Sequence, residues 1–209
     1  MKAAQIRCLN NNSSPTKRVL FLGCGQSHTN LISTLVRHNC SVDQTEDLID
    51  GDGNYDLVVS FGYRHILKKR VIDNLGCPIF NLHISYLPFN RGAHPNFWSF
   101  YENTPSGVTI HLIDEGVDTG PIVYQRYVNF ENDEKTFVKT YERLVTEIES
   151  LFEDEAENIL FDKWESKPQR GKGSVHFVRD LPKQFAGWNS IIDDELRRLN
   201  NLGLSQNDK

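Results

Sequence analysis

The chain has 209 residues, 38% of them hydrophobic and 24% charged, enough to bury one good core with a small appendage, so one main domain is the default. Its formal net charge of −5 argues against broad contact with nucleic-acid phosphate or an anionic membrane surface, both of which need clustered Lys and Arg. No segment approaches the roughly 18 apolar residues of a membrane span, and the polar, Asn-rich first dozen residues lack the apolar run of a secretory signal. A cytoplasmic location is expected. The cysteines Cys8, Cys24, Cys40 and Cys77 lie far apart, with no Cys-x-x-Cys pair, so neither a disulfide framework nor a metal site is expected.

In chain order, the apolar run Arg18 to Leu22 ends in Gly23-Cys24-Gly25. Leu31, Ile32, Leu35 and Val36 then follow at helical spacing, which reads as strand, tight turn, helix. A second strand near Cys40 to Val42 is weakly signalled, and the acidic Asp43 to Asn54 stretch reads as a surface connection. Strands at Leu57 to Phe61 and Ile79 to Leu82, with a helix around Lys69 to Leu75 between them, predict an α/β fold with a mostly parallel sheet covered by helices. A helix from His94 to Tyr101 and strands at Val108 to Ile113 and Ile122 to Val128 come next. A long helix is predicted from Asp133 to about Ile159, capped by Asn132 or Asp133, with Phe137, Tyr141, Leu144, Ile148 and Phe152 on its apolar face. The turn-rich stretch Trp164 to Phe177 reads as a β-hairpin outside the main sheet, and a short helix over Ser190 to Leu199 follows. Both termini, including the polar tail from Gln206, are expected to fray.

Three clusters carry possible chemistry. At Phe80-Asn81-Leu82-His83 an apolar strand delivers an Asn and a His two positions apart, on one face if extended, and strand ends are where open α/β sheets place their sites. Asn offers a neutral donor for a developing oxyanion, and His exchanges a proton near neutral pH. An isolated Asn-x-His is equally a capped strand end with a satisfied core histidine. The second cluster runs from Gly107 to Pro121, a strand entering a loop with three acids, where Asp118 could orient His83; taken alone it is a solvated turn with His111 as packing. The third, Gly23-Cys24-Gly25, lacks the third glycine of a dinucleotide fingerprint. Its turn either offers backbone donors to a phosphate or is purely structural.

Taken together, Asn81-Leu82-His83, Ser85-Tyr86-Leu87-Pro88, Arg91-Gly92, Gly107-Val108-Thr109-Ile110-His111 and Asp118-Thr119-Gly120-Pro121-Ile122, with Gln125 following, resemble the folate-dependent formyltransferase family from about Arg18 to Phe130. The wording of His83 to Trp98 is most similar to the sugar-nucleotide N-formyltransferase group, and the pattern Gln169, Gly171, Gly173, Ser174, His176 and Asp180 also resembles that group's late hairpin. The resemblance implies a Rossmann-like formyltransferase core over residues 1–160 and a C-terminal helix and β-hairpin extension over 161–209, the expected dimer contact. It implies transfer of the formyl group of 10-formyltetrahydrofolate, without a metal, to the 4-amino group of a 4-amino-4,6-dideoxy sugar on a nucleotide, expected to be dTDP, in O-antigen or related glycan synthesis. Asn81, His83 and Asp118 are the implied catalytic residues, Asn81 and His83 stabilising the oxyanion and His83 with Asp118 moving the proton. Tyr63, Arg64, Ile66, Asp114 and Val117 are implied to bind the reduced folate. Gly23, Gly25, Ser85, Tyr86, Arg91, His94 and Trp98 are implied for the sugar nucleotide, with Arg91 reaching a phosphate or fixing the loop by hydrogen bonds, and with Tyr86, His94, Phe97 and Trp98 walling the pocket or packing the core. The rivals are a formyltetrahydrofolate hydrolase, a glycinamide ribonucleotide-type formyltransferase and a non-catalytic module; the tRNA branch is disfavoured by the acidic balance and the short C-terminal stretch.

Overall fold

Alternate residues of the strand β2 (Arg18–Gly23) enter two different apolar clusters, and this alternation fixes a layered architecture. The structure is a computed structural model that describes residues 4–10 and 13–203; the tail from Gln206 lies outside them. Val19 and Phe21 face one side of the sheet with Val59, Phe80 and Ile110, under the helices α1 (Leu31–Arg37) and α4 (Phe137–Leu160). Leu20, Leu22 and Val58 face the other side, covered by α2 (Lys69–Leu75) and by Ile49 and Leu67.

The main sheet has seven strands among the described residues, in the order β1 (Arg7–Asn10), β3 (Ser41–Thr45), β2, β4 (Leu57–Phe61), β5 (Ile79–His83), β7 (Gly107–Leu112) and β8 (Ile122–Tyr127). The central four strands run parallel, with β1 antiparallel on one edge and β7 and β8 antiparallel on the other. The β5–β7 pairing sets Asn81 opposite His111, so two motifs thirty residues apart in sequence become neighbours. A short helix α3 (Pro95–Tyr101), α5 (Ile192–Asn201) and the start of α4 share a third, aromatic-rich cluster built on Phe97, Trp98 and Phe137.

Four local expectations differ from what forms. The N-terminal stretch contributes the edge strand β1, anchored by Asn10, whose side chain donates to Cys40 O (2.7 Å) and accepts from Val42 N (2.8 Å). The Asp43 to Asn54 stretch is less superficial than its acidity implies: its first residues finish β3, and Ile49 is buried beneath α2. The long helix begins at Phe137 with Thr136 as cap, whose hydroxyl accepts from Lys139 N (3.4 Å). Tyr141 is exposed because the buried stripe passes through Thr140 instead, whose hydroxyl bonds back to Thr136 O and Phe137 O. Last, the Trp164 to Phe177 stretch does not pair with itself as a hairpin. Lys167 exchanges two backbone bonds with Ile122 at the start of β8, and β9 (Val175–His176) runs parallel to β6 (Arg91–Gly92). Older strands already present free edges to it, and each arm satisfies its backbone there. Residues 167–176 are thereby stitched along the core.

Candidate active site

The carboxyl end of β5 and the loop after β7 meet at the floor of a cavity of about 710 Å³. Asn81, His111 and Asp118 line that floor, while His83 lies beside it, 8% exposed. Asp118 reaches the floor because its backbone adopts a left-handed conformation, φ +50°, which a non-glycine residue keeps only when its surroundings hold it.

Hydrogen-bond chemistry orders the cluster. His111 Nδ1 lies 2.8 Å from the carbonyl oxygen of Leu112, which can only accept, so Nδ1 carries the proton and Nε2 is left as an acceptor. Asn81 Nδ2 stands 3.1 Å from that Nε2 and 3.1 Å from Asp118 Oδ1, so its two hydrogens both point inward. Among the described residues, the Asn81 amide oxygen is the atom left for a ligand. This corrects the expectation that Asn81 offers an N–H to an oxyanion, because both N–H groups are engaged by internal acceptors.

The same logic applies to His83. Its Nε2 donates to the Asn90 carbonyl oxygen (3.1 Å), leaving the Nδ1 lone pair facing Asp118 Oδ2 at 3.6 Å. A proton added there converts two opposed lone pairs into an ion pair, so the duo is built to receive one. Burial lowers the His83 pKa, outweighing the opposite pull of Asp118, so the ring is neutral at pH 7. Burial pushes the Asp118 carboxyl up, but His83, His111 and the Gly92 N–H together hold it well below the usual carboxylate range. Gly92 N donates to Asp118 Oδ2 at 2.8 Å. Gly92 has φ +83°, and a Cβ there would overlap the His176 carbonyl oxygen across the β6–β9 pairing. Only glycine permits that approach.

The expected folate contacts Tyr63, Arg64, Ile66, Asp114 and Val117 all line the cavity. The Tyr63 hydroxyl is nonetheless spent on the 47–49 loop, donating to Asp47 O (2.7 Å) and accepting from Ile49 N (3.3 Å), so it offers the cavity its ring. Asp114 Oδ1 accepts from Gly116 N (3.0 Å) and the Thr119 hydroxyl (2.6 Å), shaping the loop that carries Asp118.

Of the residues expected to hold the sugar nucleotide, only His94 lines the cavity. Gly23 carries φ +124°, and a Cβ would overlap the Phe61 carbonyl oxygen; the residue is glycine to let β2 and β4 meet. The turn after it does not line the cavity. The Glu149 carboxylate already sits at the start of α1, accepting from the Thr29 hydroxyl (2.6 Å) and Asn30 N (3.1 Å). Ser85 donates to Phe89 O (2.6 Å), and Tyr86 packs edge-on against Tyr127. Arg91 is turned onto Gln169, and Trp98 is 2% exposed, stacked on His176 at 3.9 Å. Phe97 is core. Sequence reasoning missed His111 and Gly92 as site residues, and Phe177 and Val178 of the cavity lining. His111 stood inside a quoted motif as packing, and the other signals depend on the β6–β9 pairing.

A family model described as formyl transferase matches residues 36–153. The dTDP-4-amino-4,6-dideoxyglucose formyltransferase of Mycobacterium tuberculosis (strain ATCC 25618 / H37Rv) is 31% identical over 127 residues, 61% of this chain and 53% of that protein. A methionyl-tRNA formyltransferase of Finegoldia magna is 33% identical over 127 residues, 59% of this chain and 38% of that protein. The chain thus spans about half or less of these curated relatives. The crystal structure of the formyltransferase PseJ from Anoxybacillus kamchatkensis, in complex with UDP-4,6-dideoxy-4-formamido-L-AltNAc and tetrahydrofolate, superposes with a TM-score of 0.78. It is 38% identical and covers 84% of this chain and 96% of that one.

Proposed function

The chain belongs to the formyl transferase family, and from that premise we propose that it moves the formyl group of 10-formyltetrahydrofolate onto the 4-amino group of a nucleotide-linked 4-amino-4,6-dideoxy sugar. The observation that carries the reading is the Asn81–His111–Asp118 floor, with His83 beside it one proton short of an ion pair. Two of the relatives named above support the acceptor class. One carries a dTDP-sugar in its name and the other was solved with a UDP-sugar, so the reading specifies a pyrimidine nucleoside diphosphate. In this reading the product feeds glycan assembly in the cytoplasm, and the protein acts as a homodimer. Exposed Val178, Trp188 and Ile191 in the 161–209 segment support that contact, and sedimentation reads it.

The cavity fits a reduced folate. Its volume lies in the usual range for cofactor-sized ligands, and Tyr63, Ile66, Leu67, Ile113 and Val117 give it apolar walls beside Arg64 and Asp114. Ile66 is 64% exposed, an apolar cost that a flat bound ring would remove. His94, His176, Phe177 and Val178 remain on the cavity for the acceptor.

The folate supplies an activated formyl carbon. The Asn81 amide oxygen accepts one N–H of the incoming amine and orients its lone pair. As the new C–N bond forms, the amine sheds a proton to the Asp118–His83 pair, where His83 Nδ1 holds it against the carboxylate. The proton then passes to the folate nitrogen as its bond to the formyl carbon breaks. General acid–base help of this kind contributes roughly 10²–10⁴-fold.

The test is an acceptor panel: purified protein, 10-formyltetrahydrofolate and dTDP-, UDP- and GDP-linked 4-amino sugars, with glycinamide ribonucleotide and methionyl-tRNA alongside. The reading predicts tetrahydrofolate release matched by a formyl mass gain on a dTDP- or UDP-sugar. Release without any gain would assign hydrolysis, and gain on the ribonucleotide or tRNA would overturn the sugar acceptor.

A further inference from the structure

The Asp118 loop is held from a part of the chain that the family match, ending at residue 153, does not reach. Gln169 Nε2 donates to the Asp118 carbonyl oxygen (2.8 Å) and to the Gly120 carbonyl oxygen (2.8 Å). Its Oε1 accepts from Arg91 Nε (3.0 Å) and Nη2 (2.6 Å). Two donor hydrogens and two acceptor lone pairs are the full capacity of a glutamine side chain, and all four are used. Two residues earlier, Lys167 and Ile122 exchange backbone bonds of 2.8 Å each, tying this segment to the far end of the same loop. Six residues later, β9 holds β6, with Ala93 N donating to His176 O at 2.8 Å. That pairing presents the Gly92 N–H to the Asp118 carboxylate. The backbone of Asp118 and its side chain are therefore both fixed through residues 167–176, and the left-handed φ of Asp118 is the conformation so held.

We propose that Gln169, aligned by the Arg91 fork, is a positioning residue for the reaction, holding Asp118 in the geometry that lets it pair with His83. The proposal rests on the reading of Asp118 and His83 as the proton-handling pair. A planar guanidinium engaging one oxygen through two N–H groups fixes the glutamine's rotation, which a lysine cannot do. That rotation puts the Nε2 hydrogens on the two loop carbonyls. Of the two roles expected for Arg91, reaching a phosphate or fixing the loop by hydrogen bonds, the geometry matches the second.

The test uses full-length protein with labelled histidine side chains. In Gln169→Glu the Arg91 partner is kept, but both carbonyl donors are replaced by an acceptor, so Asp118 is released from its left-handed position. The expected result is a loss of about 100-fold in kcat, the scale of a small misplacement at a reacting centre, with KM for both substrates nearly unchanged. The His83 imidazole, followed by NMR, is expected to titrate at lower pH than in wild type, since its carboxylate neighbour has withdrawn. Arg91→Lys is expected to give the same two changes in weaker form, and it carries the test if Gln169→Glu fails to fold. A His83 titration curve identical to wild type in a folded variant would overturn the proposal, as would an unchanged kcat. The titration needs no substrate, so it separates the two ideas: wild-type silence on every acceptor defeats the formyl-transfer reading, and an unshifted His83 defeats the clamp.

Discussion

Two parallel strands of one sheet, β2 and β5, end in residues suited to chemistry, yet only the β5 end opens onto the cavity. After β2 comes a glycine turn and a helix start, the usual makings of an anion site. The groups that shape it are engaged within the protein: Gly23 makes room for Phe61, and the Glu149 carboxylate occupies the start of α1. After β5, the internal bonds leave an amide oxygen facing a cavity and a lone pair facing a carboxylate. A site differs from a turn in what its hydrogen bonds leave unspent, not in the residue types that compose it.

The largest effect that sharpens this comparison is at Asp118. Asp118→Asn keeps the side chain's size but removes the charge that receives the proton, and kcat is expected to fall by about 10³-fold, with a lower melting temperature at neutral pH because the carboxylate is favoured in the fold. A variant within tenfold of wild type would move the chemistry elsewhere. Next comes His111→Phe, which frees one Asn81 hydrogen and the rotation of the amide. It is expected to lose roughly 10–100-fold in kcat, within the cost of misplacing a reacting group, measured by steady-state kinetics with both substrates saturating.

The pH response follows from the same cluster. His83 is buried with its pKa lowered, so as pH falls below the unfolded value of about 6.5, the unfolded chain takes up a proton that the folded chain refuses, and stability drops. Asp118, whose folded pKa is depressed, adds stability present above about pH 4 and lost as pH falls toward its folded value. Urea unfolding of wild type between pH 7 and pH 5 is expected to show a fall in stability that His83→Gln largely abolishes. An equal fall in both proteins would mean that His83 does not stay neutral.

The β2 end supplies the smallest effects. Glu149→Gln is expected to cost about 1 kcal/mol of stability, the scale of a helix-start partner, with kinetic constants unchanged. Gly25→Ala is expected to change neither, because a Cβ there meets nothing within 4 Å. A selective rise in KM for the sugar nucleotide in either variant would restore the turn as a phosphate site.

The motif residues Asn81, His83 and Asp118 were legible through their resemblance to the family's motifs; strand periodicity by itself put only Asn81 and His83 on one face. Their environment was less so. That Asn81 spends its N–H groups inward depends on the register of β5 against β7, and Arg91's real partner lies 78 positions away. The supposed hairpin at Trp164 to Phe177 shows the limit most plainly. Its turn residues are real, but its two arms had better partners in Ile122 and β6, and local sequence carries no trace of competition among distant edges. The burial of Trp98 against His176 has the same origin.

The central claim is that the Asp118–His83 pair takes the proton as the amine attacks a folate-borne formyl carbon. A single-turnover comparison tests it most directly, mixing excess wild-type or Asp118→Asn enzyme with 10-formyltetrahydrofolate and the accepted amino sugar, and following formyl mass gain against pH. The account predicts fast transfer by wild type that declines on the acid side, and transfer slowed by about 10³-fold in the variant with no acid decline of its own. Equal single-turnover rates for the two proteins would contradict it.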